Sequence, residues 1–236
     1  MSNLIKMFCI STRWLYKSWG KIHAFDVLPQ CTVKKDTLKI ITFVKKGVAM
    51  RICETTITDT TDTGTTFIVT NAMRTFVAKI KEFHSSVNVE MDVVGKSITF
   101  TVESAASALK YTFEHVEFDE EKYIEPDPED IPVKVPWTDW KSLCLLAPSV
   151  GNLTIQCSAR KRACVLRHDG GRWAGAIQLQ EKISHDINFV CDSEAVRRLT
   201  MLFNTDSSFI NVVFLKCGVM KWTDNRGLYG YIAPVL

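Results

Sequence analysis

The sequence predicts an α+β fold built as a duplicated unit: each repeat has two helices packed on β-sheets, and an extended acidic linker joins the repeats. Three observations predict it. A run of strand, cap residue, helix, Ser-Ser turn and strand occurs twice, 122 residues apart. Between the copies, residues 117–130 read EFDEEKYIEPDPED, with eight acidic residues and one lysine. Pro126, Pro128, Pro132 and Pro136 run through this stretch and just beyond it, and proline holds both itself and the preceding residue in extended forms. The boundaries that follow are 1–116 for the N-terminal repeat, 117–132 for the linker and 133–236 for the C-terminal repeat.

The first element is a helical pattern from Leu4 to Trp19. At about 100° per residue, Leu4, Phe8, Leu15 and Trp19 fall on one face, and Lys6, Arg13 and Lys17 on the other. This helix begins so close to Met1 that no strand is expected before it. Hairpin-forming stretches follow, with the polar loop TTITDTTDTGTT between Thr55 and Thr66. Phe67 to Asn71 then opens a second helix, Met73 to Phe83, with Arg74 and Lys81 opposite Met73, Phe76, Ile80 and Phe83. Ser85-Ser86 turns the chain into the alternating strand VNVEMDV.

After the linker, a helix over Thr138 to Ala147 carries one cation, Lys141. Asp169-Gly170-Gly171 reads as a hairpin turn, since no Walker-type Lys-Ser/Thr follows it. Phe189 to Ser193 opens the last helix, Glu194 to Phe203, with Arg197 and Arg198 flanking the face opposite Val196, Leu199 and Phe203. Ser207-Ser208 leads into the strand FINVVFL, and the chain ends on the uncharged GLYGYIAPVL. Most domains end in something polar and frayed, so this tail is expected to pack or to meet a partner.

Composition narrows the function. The net charge of +3 divides into −7 on the linker stretch and +10 on the remainder. Helices with predominantly cationic outer faces neutralise phosphates without reading sequence. No apolar run approaches the roughly eighteen residues that span a bilayer, so no membrane association is expected, and the Lys- and Arg-bearing opening residues lack a signal-peptide core. The eight cysteines are spread evenly, with no C-x-x-C; buried thiols in a reducing compartment are expected, with no metal and no cofactor. No nucleophile, base or carboxylate pair forms a catalytic constellation, so the chain is not expected to be an enzyme.

Taken together, these features resemble the sliding DNA clamps of the proliferating cell nuclear antigen type. The closing Tyr231-Ile232-Ala233-Pro234 is similar to that family's tyrosine-leucine-alanine-proline ending. Phe118 to Pro132 looks like its interdomain connecting loop, and Asn152-Leu153-Thr154-Ile155-Gln156-Cys157-Ser158 like the opening hairpin of its second domain.

The resemblance implies a nuclear homotrimeric ring of six repeat units around duplex DNA, acting as a polymerase processivity factor in replication and repair. It places Lys6, Arg13, Lys17, Arg74, Lys81, Lys141, Arg197 and Arg198 towards the phosphates. It assigns Phe43, Gly47, Val48, Tyr123, Ile124, Pro126, Tyr231, Ile232, Ala233 and Pro234 to a pocket that receives DNA polymerase and other clamp-binding proteins. A clamp loader is a further implied partner.

The chain departs from the family in lacking the first strand, in being short between Gln178 and Asp186, and in having Gln178 at the family's best-known modified lysine. Such divergence suits a viral or fast-evolving clamp. Two other readings stay open: a clamp-fold protein that forms no homotrimer, such as a checkpoint-heterotrimer subunit or a non-ring processivity factor, and an interaction scaffold with no DNA role.

Overall fold

The computed structural model describes residues 5–19, 29–34, 36–45, 48–57, 65–92, 94–103, 107–114 and 132–235; the side chains of Ile5, Lys6 and Thr65 lie outside this description, as does the acidic linker up to residue 131. The described chain divides into two compact units. Residues 5–19, 29–42 and 53–114 form the first, and 43–52 with 132–235 form the second.

In chain order the first run of elements is β1 (Ile5–Ser11), α1 (Thr12–Trp19), β2 (Gln30–Lys34), β3 (Thr37–Lys45), β4 (Ala49–Thr56), β5 (Thr65–Ile68), α2 (Asn71–Ile80), β6 (Ser86–Asp92), β7 (Ser97–Glu103) and β8 (Ala108–Glu114). The second run is β9 (Pro132–Pro136), α3 (Trp137–Leu146), β10 (Asn152–Ser158), β11 (Ala163–His168), β12 (Ala174–Gln178), β13 (Ile187–Asp192), α4 (Ser193–Leu202), β14 (Phe209–Phe214), β15 (Met220–Thr223) and β16 (Leu228–Ile232). The two runs have the same order of strands and helices.

The first unit corrects the expected helix over Leu4 to Trp19. Residues 5–11 are a strand, and the helix starts at Thr12. Phe8 and Ile10 are buried while Met7 and Cys9 are exposed, a period of two. Phe8 faces Val89 and Ile10 faces Val87 across an antiparallel ladder with β6. Phe8 fits the helical stripe and the strand alternation equally well. The ladder decides between them, because it satisfies the backbone groups of a whole segment at once. Ser11 then starts the helix by accepting from the Trp14 N–H at 3.3 Å. The expected absence of a first strand is therefore wrong, and Lys6 lies on β1 rather than on a helix.

The sheet order β1-β6-β7-β8 supplies one face for α1 and α2, while β5-β2-β3 forms the unit's other ladder. Trp19, Phe76, Phe100 and Phe113 make an aromatic core, with Trp19 edge-on to Phe100 at 6.2 Å and Phe100 edge-on to Phe113 at 5.6 Å. Such pairs add about 0.5–1.5 kcal/mol beyond their burial. Thr70 caps helix α2, its side chain accepting from Met73 N–H at 3.3 Å.

In the second unit the orders are β12-β11-β10-β13 and β4-β16-β15-β14-β9, residues 49–52 of β4 belonging here. The core gathers Trp140, Trp222 and Phe203; Trp140 and Trp222 meet edge-to-face at 5.7 Å. Two glycines let helix side chains sit directly on strands. A Cβ at Gly175 in β12 would lie 2.3 Å from Leu143 Cδ2 of α3, and one at Gly230 in β16 would lie 2.9 Å from Leu199 Cδ2 of α4. Asp192 caps α4 by accepting from Ala195 N–H at 2.8 Å. The predicted turn at Asp169-Gly170-Gly171 forms, with Gly171 in the left-handed region at φ 69°.

Two arginines close the other ends of these helices. The Arg197 guanidinium donates to the carbonyls of Leu145 and Ala147, the latter at 2.7 Å. Arg51, 2% exposed, donates to Leu202 O at 2.7 Å. The last carbonyls of a helix have no partner within it and carry its negative dipole end, so each cation meets a complementary charge.

Six cysteines are buried and two, Cys9 and Cys217, are exposed. Burial pushes the Cys144 thiol up to about 12, and raises Cys31 and Cys191 further. These thiols stay protonated and unreactive near neutral pH. Two of the eight thiols should therefore react with a disulfide reagent in the native protein, and all eight after unfolding; fast native reaction of more than two contradicts this packing. Separately, Arg197→Ala should lower stability by about 2 kcal/mol, the cost of orphaning charge-assisted hydrogen bonds, read as a shift in urea midpoint. Lys141→Ala on the exposed face of α3 should stay within about 0.5 kcal/mol.

Candidate functional site

The resemblance points to two surfaces: the outer faces of the helices and the region of the C-terminal tail. On α1, Arg13, Tyr16 and Lys17 are exposed while Leu15, Ser18 and Trp19 are buried. On α2, Met73, Phe76, Val77 and Ile80 are buried; Lys79 is exposed, and Arg74 and Lys81 are half-buried. Lys81 Nζ sits 4.1 Å above the Tyr16 ring and 2.6 Å from Glu82 Oε1. That hydrogen bond raises the Lys81 amine's pKa and lowers that of the Glu82 carboxyl, and the nearby Arg13 charge opposes the first shift and reinforces the second. Arg13, Tyr16 and Lys81 thus share one α1–α2 surface. A surface lysine–carboxylate pair of this kind contributes little to stability.

The second unit's helices carry less. On α3, Lys141 and Asp139 are both exposed. On α4, Arg198 pairs with Glu194 at 2.7 Å one turn away, and Arg197 is held on the carbonyls that end α3. Those two bonds engage the Arg197 guanidinium on main-chain carbonyls. Its helical spacing marks it as outward, but the acceptors lie on another helix, where no local periodicity could show them. Lys79 is the converse case: sequence reading passed over it, though it lies on the polar side of the α2 stripe.

The tail is tied down rather than frayed. Strand β16 pairs with β15, then Ala233 N–H donates to Val48 O at 2.7 Å and Val235 N–H to Val190 O at 2.9 Å. Ile232 is fully buried and Tyr231 7% exposed. Lys221, the register partner of Tyr231, holds its Nζ 5.6 Å from that ring and 4.8 Å from Tyr229. Ile232 is core, and of the tail residues Ala233, Pro234 and the exposed Val235 reach the surface.

Phe43 and Val48 are half-buried in the second unit, and Val48 is joined directly to the tail. Lys45, at the end of β3, holds its Nζ 2.9 Å from Asp192 and 3.5 Å from Glu194. The Asp192 hydrogen bond raises the Lys45 amine's pKa. Gly47, Tyr123, Ile124 and Pro126 lie outside the described residues. Val190 and Val235 were missed in the sequence because their link to the tail is a main-chain bond without a side-chain signature.

Among the described residues, no group of three or more His, Cys, Asp or Glu side chains could hold one metal ion. Among the same residues, no helix is long and apolar enough to cross a membrane. His168 is engaged locally: its Nδ1 accepts from Gly170 N–H at 3.1 Å, which leaves Nε2 to donate to Val150 O at 2.6 Å.

No family model and no curated protein matches the sequence. Solved structures do. The DNA polymerase III β subunit of Thermotoga maritima is 12% identical, with a TM-score of 0.72 over 98% of this chain and 65% of that one. The β subunit of Pseudomonas aeruginosa is 10% identical, with a TM-score of 0.73 over 97% and 65%. A DNA polymerase sliding clamp from the same organism is 11% identical, with a TM-score of 0.75 over 100% and 68%. The chain spans about two thirds of the length of each. At this identity the likeness is one of fold, and it extends along the entire chain: this protein has the fold of a DNA sliding clamp.

Proposed function

We propose that the chain is a sliding clamp and polymerase processivity factor that closes as a homotrimer around duplex DNA and works in the nucleus without catalysing a reaction. The observation that carries this reading is the cationic α1–α2 face within a sliding-clamp fold. Such a face attracts the sequence-independent phosphate array of DNA. The tail, with Val48, Ala233, Pro234 and Val235, then offers an apolar docking surface to DNA polymerase and other clamp-binding proteins, and to a clamp loader.

Two edge strands support ring closure. Strand β16 carries residues 49–52 of β4 on its edge. In the order β1-β6-β7-β8, β8 holds the terminal place that β16 holds beside β15 and β14; β12 follows β11 as β4 follows β3. Yet β8 and β12 each have a single strand neighbour among the described residues. Leu109 and Tyr111 on β8 are 51% and 52% exposed, and β12 offers the small Ala174, Gly175 and Ala176. Unpaired edges invite a further strand. Pairing β8 of one copy with β12 of the next is a head-to-tail joint, which generates a ring when the rotation closes.

A ring of this kind threads onto DNA ends. The protein should associate with linear duplex whose ends are open and lose that association when both ends are blocked with biotin–streptavidin. The double variant Leu109→Asp, Tyr111→Lys should lose the difference. Equal binding of the wild-type chain to open and blocked DNA contradicts encirclement.

A further inference from the structure

We propose that the grip on the DNA backbone belongs to the first unit alone, through Arg13, Lys17 and Lys79 on the α1–α2 face, while the α3–α4 face passes DNA without a charged contact. This rests on the clamp reading above and divides it between the two units.

The asymmetry is visible position by position. Helices α1 and α3 bury the same turns: Thr12, Leu15 and Trp19 in one, Trp137, Trp140 and Cys144 in the other. At the exposed places between them, where α1 has Arg13 and Lys17, α3 has Thr138 and Ser142. Counted from their caps, Thr70 and Asp192, α2 has Lys79 exposed where α4 has Met201, 55% exposed.

What charge the second unit's helices do carry is internally matched. Arg198 lies on Glu194, and Arg197 on the carbonyls of α3. Lys141 shares the exposed face of α3 with Asp139. Helices α1 and α2, with the residues that end α2, carry five cations against one carboxylate, Glu82; α3 and α4 carry three against two.

Because each phosphate neutralised contributes about −0.9 to the slope of log K against log salt, the two faces can be told apart, with the slope changes below counted for each chain in contact with the duplex. The full-length chain and three double variants would be titrated against a fluorescent duplex with open ends, across a salt series, after melting curves show that each variant folds. Arg13→Gln, Lys17→Gln should reduce the slope by about two and weaken low-salt binding at least tenfold. Lys141→Gln, Arg198→Gln should stay within about twofold of wild type, with an unchanged slope. Thr138→Arg, Ser142→Lys should steepen the slope by about two, since it grafts the first unit's cations onto the second.

Equal losses from the first two variants overturn the division and leave the clamp reading standing. A wild-type chain that shows no salt-dependent binding to duplex DNA overturns both.

Discussion

Each unit depends on one constraint: a pair of helices must bury one stripe against β-strands, and whatever lies on the opposite stripe becomes the unit's outer helical face. In the first unit the buried stripe is built from Trp19, Met73, Phe76 and Ile80. In the second it is built from Trp140, Val196 and Leu199, with glycines at 175 and 230 where leucines rest on strands. Packing of this quality leaves little latitude for rotation of a helix about its own axis. The positions of Arg13 and Lys17, or of Thr138 and Ser142, therefore follow from the core beneath them. Function and fold meet at that point, because the residues that read as a phosphate-binding face are those the core does not use.

The helix ends impose a second demand with a functional consequence. Carbonyls at the ends of α3 and α4 are answered by Arg197 and Arg51, so those cations serve folding. A count of basic residues overstates the charge offered to a ligand wherever a helix terminus has already claimed one. In the same way the apolar tail, which looks in sequence like an unattached segment, is partly structural: Ile232 completes the core and only the residues after it reach the surface.

Much of this was legible in the sequence for identifiable reasons. A cap residue bonds the helix it precedes, so helix starts carry local signals; α3 and α4 lie within one residue of where pattern places them, and α2 within three. The first element was misread because Phe8 satisfies both a period of 3.6 and a period of 2, and the ladder with Val87 and Val89 that decides between them lies far along the chain. The partners of Arg197 and of the Ala233 amide were illegible for the same reason: both are non-local contacts to main-chain carbonyls, which carry no residue-type signature. Edge strands are likewise a property of sheet order and not of any one strand's composition, so β8 and β12 emerge only with the fold.

On the proposed reading, copies of this chain close on themselves. The most direct measurement is the solution mass of the purified protein by light scattering across a concentration series. With a chain of 26.7 kDa, a closed head-to-tail trimer requires a stable particle of roughly 80 kDa. A single-chain mass at every concentration would contradict the self-closing ring.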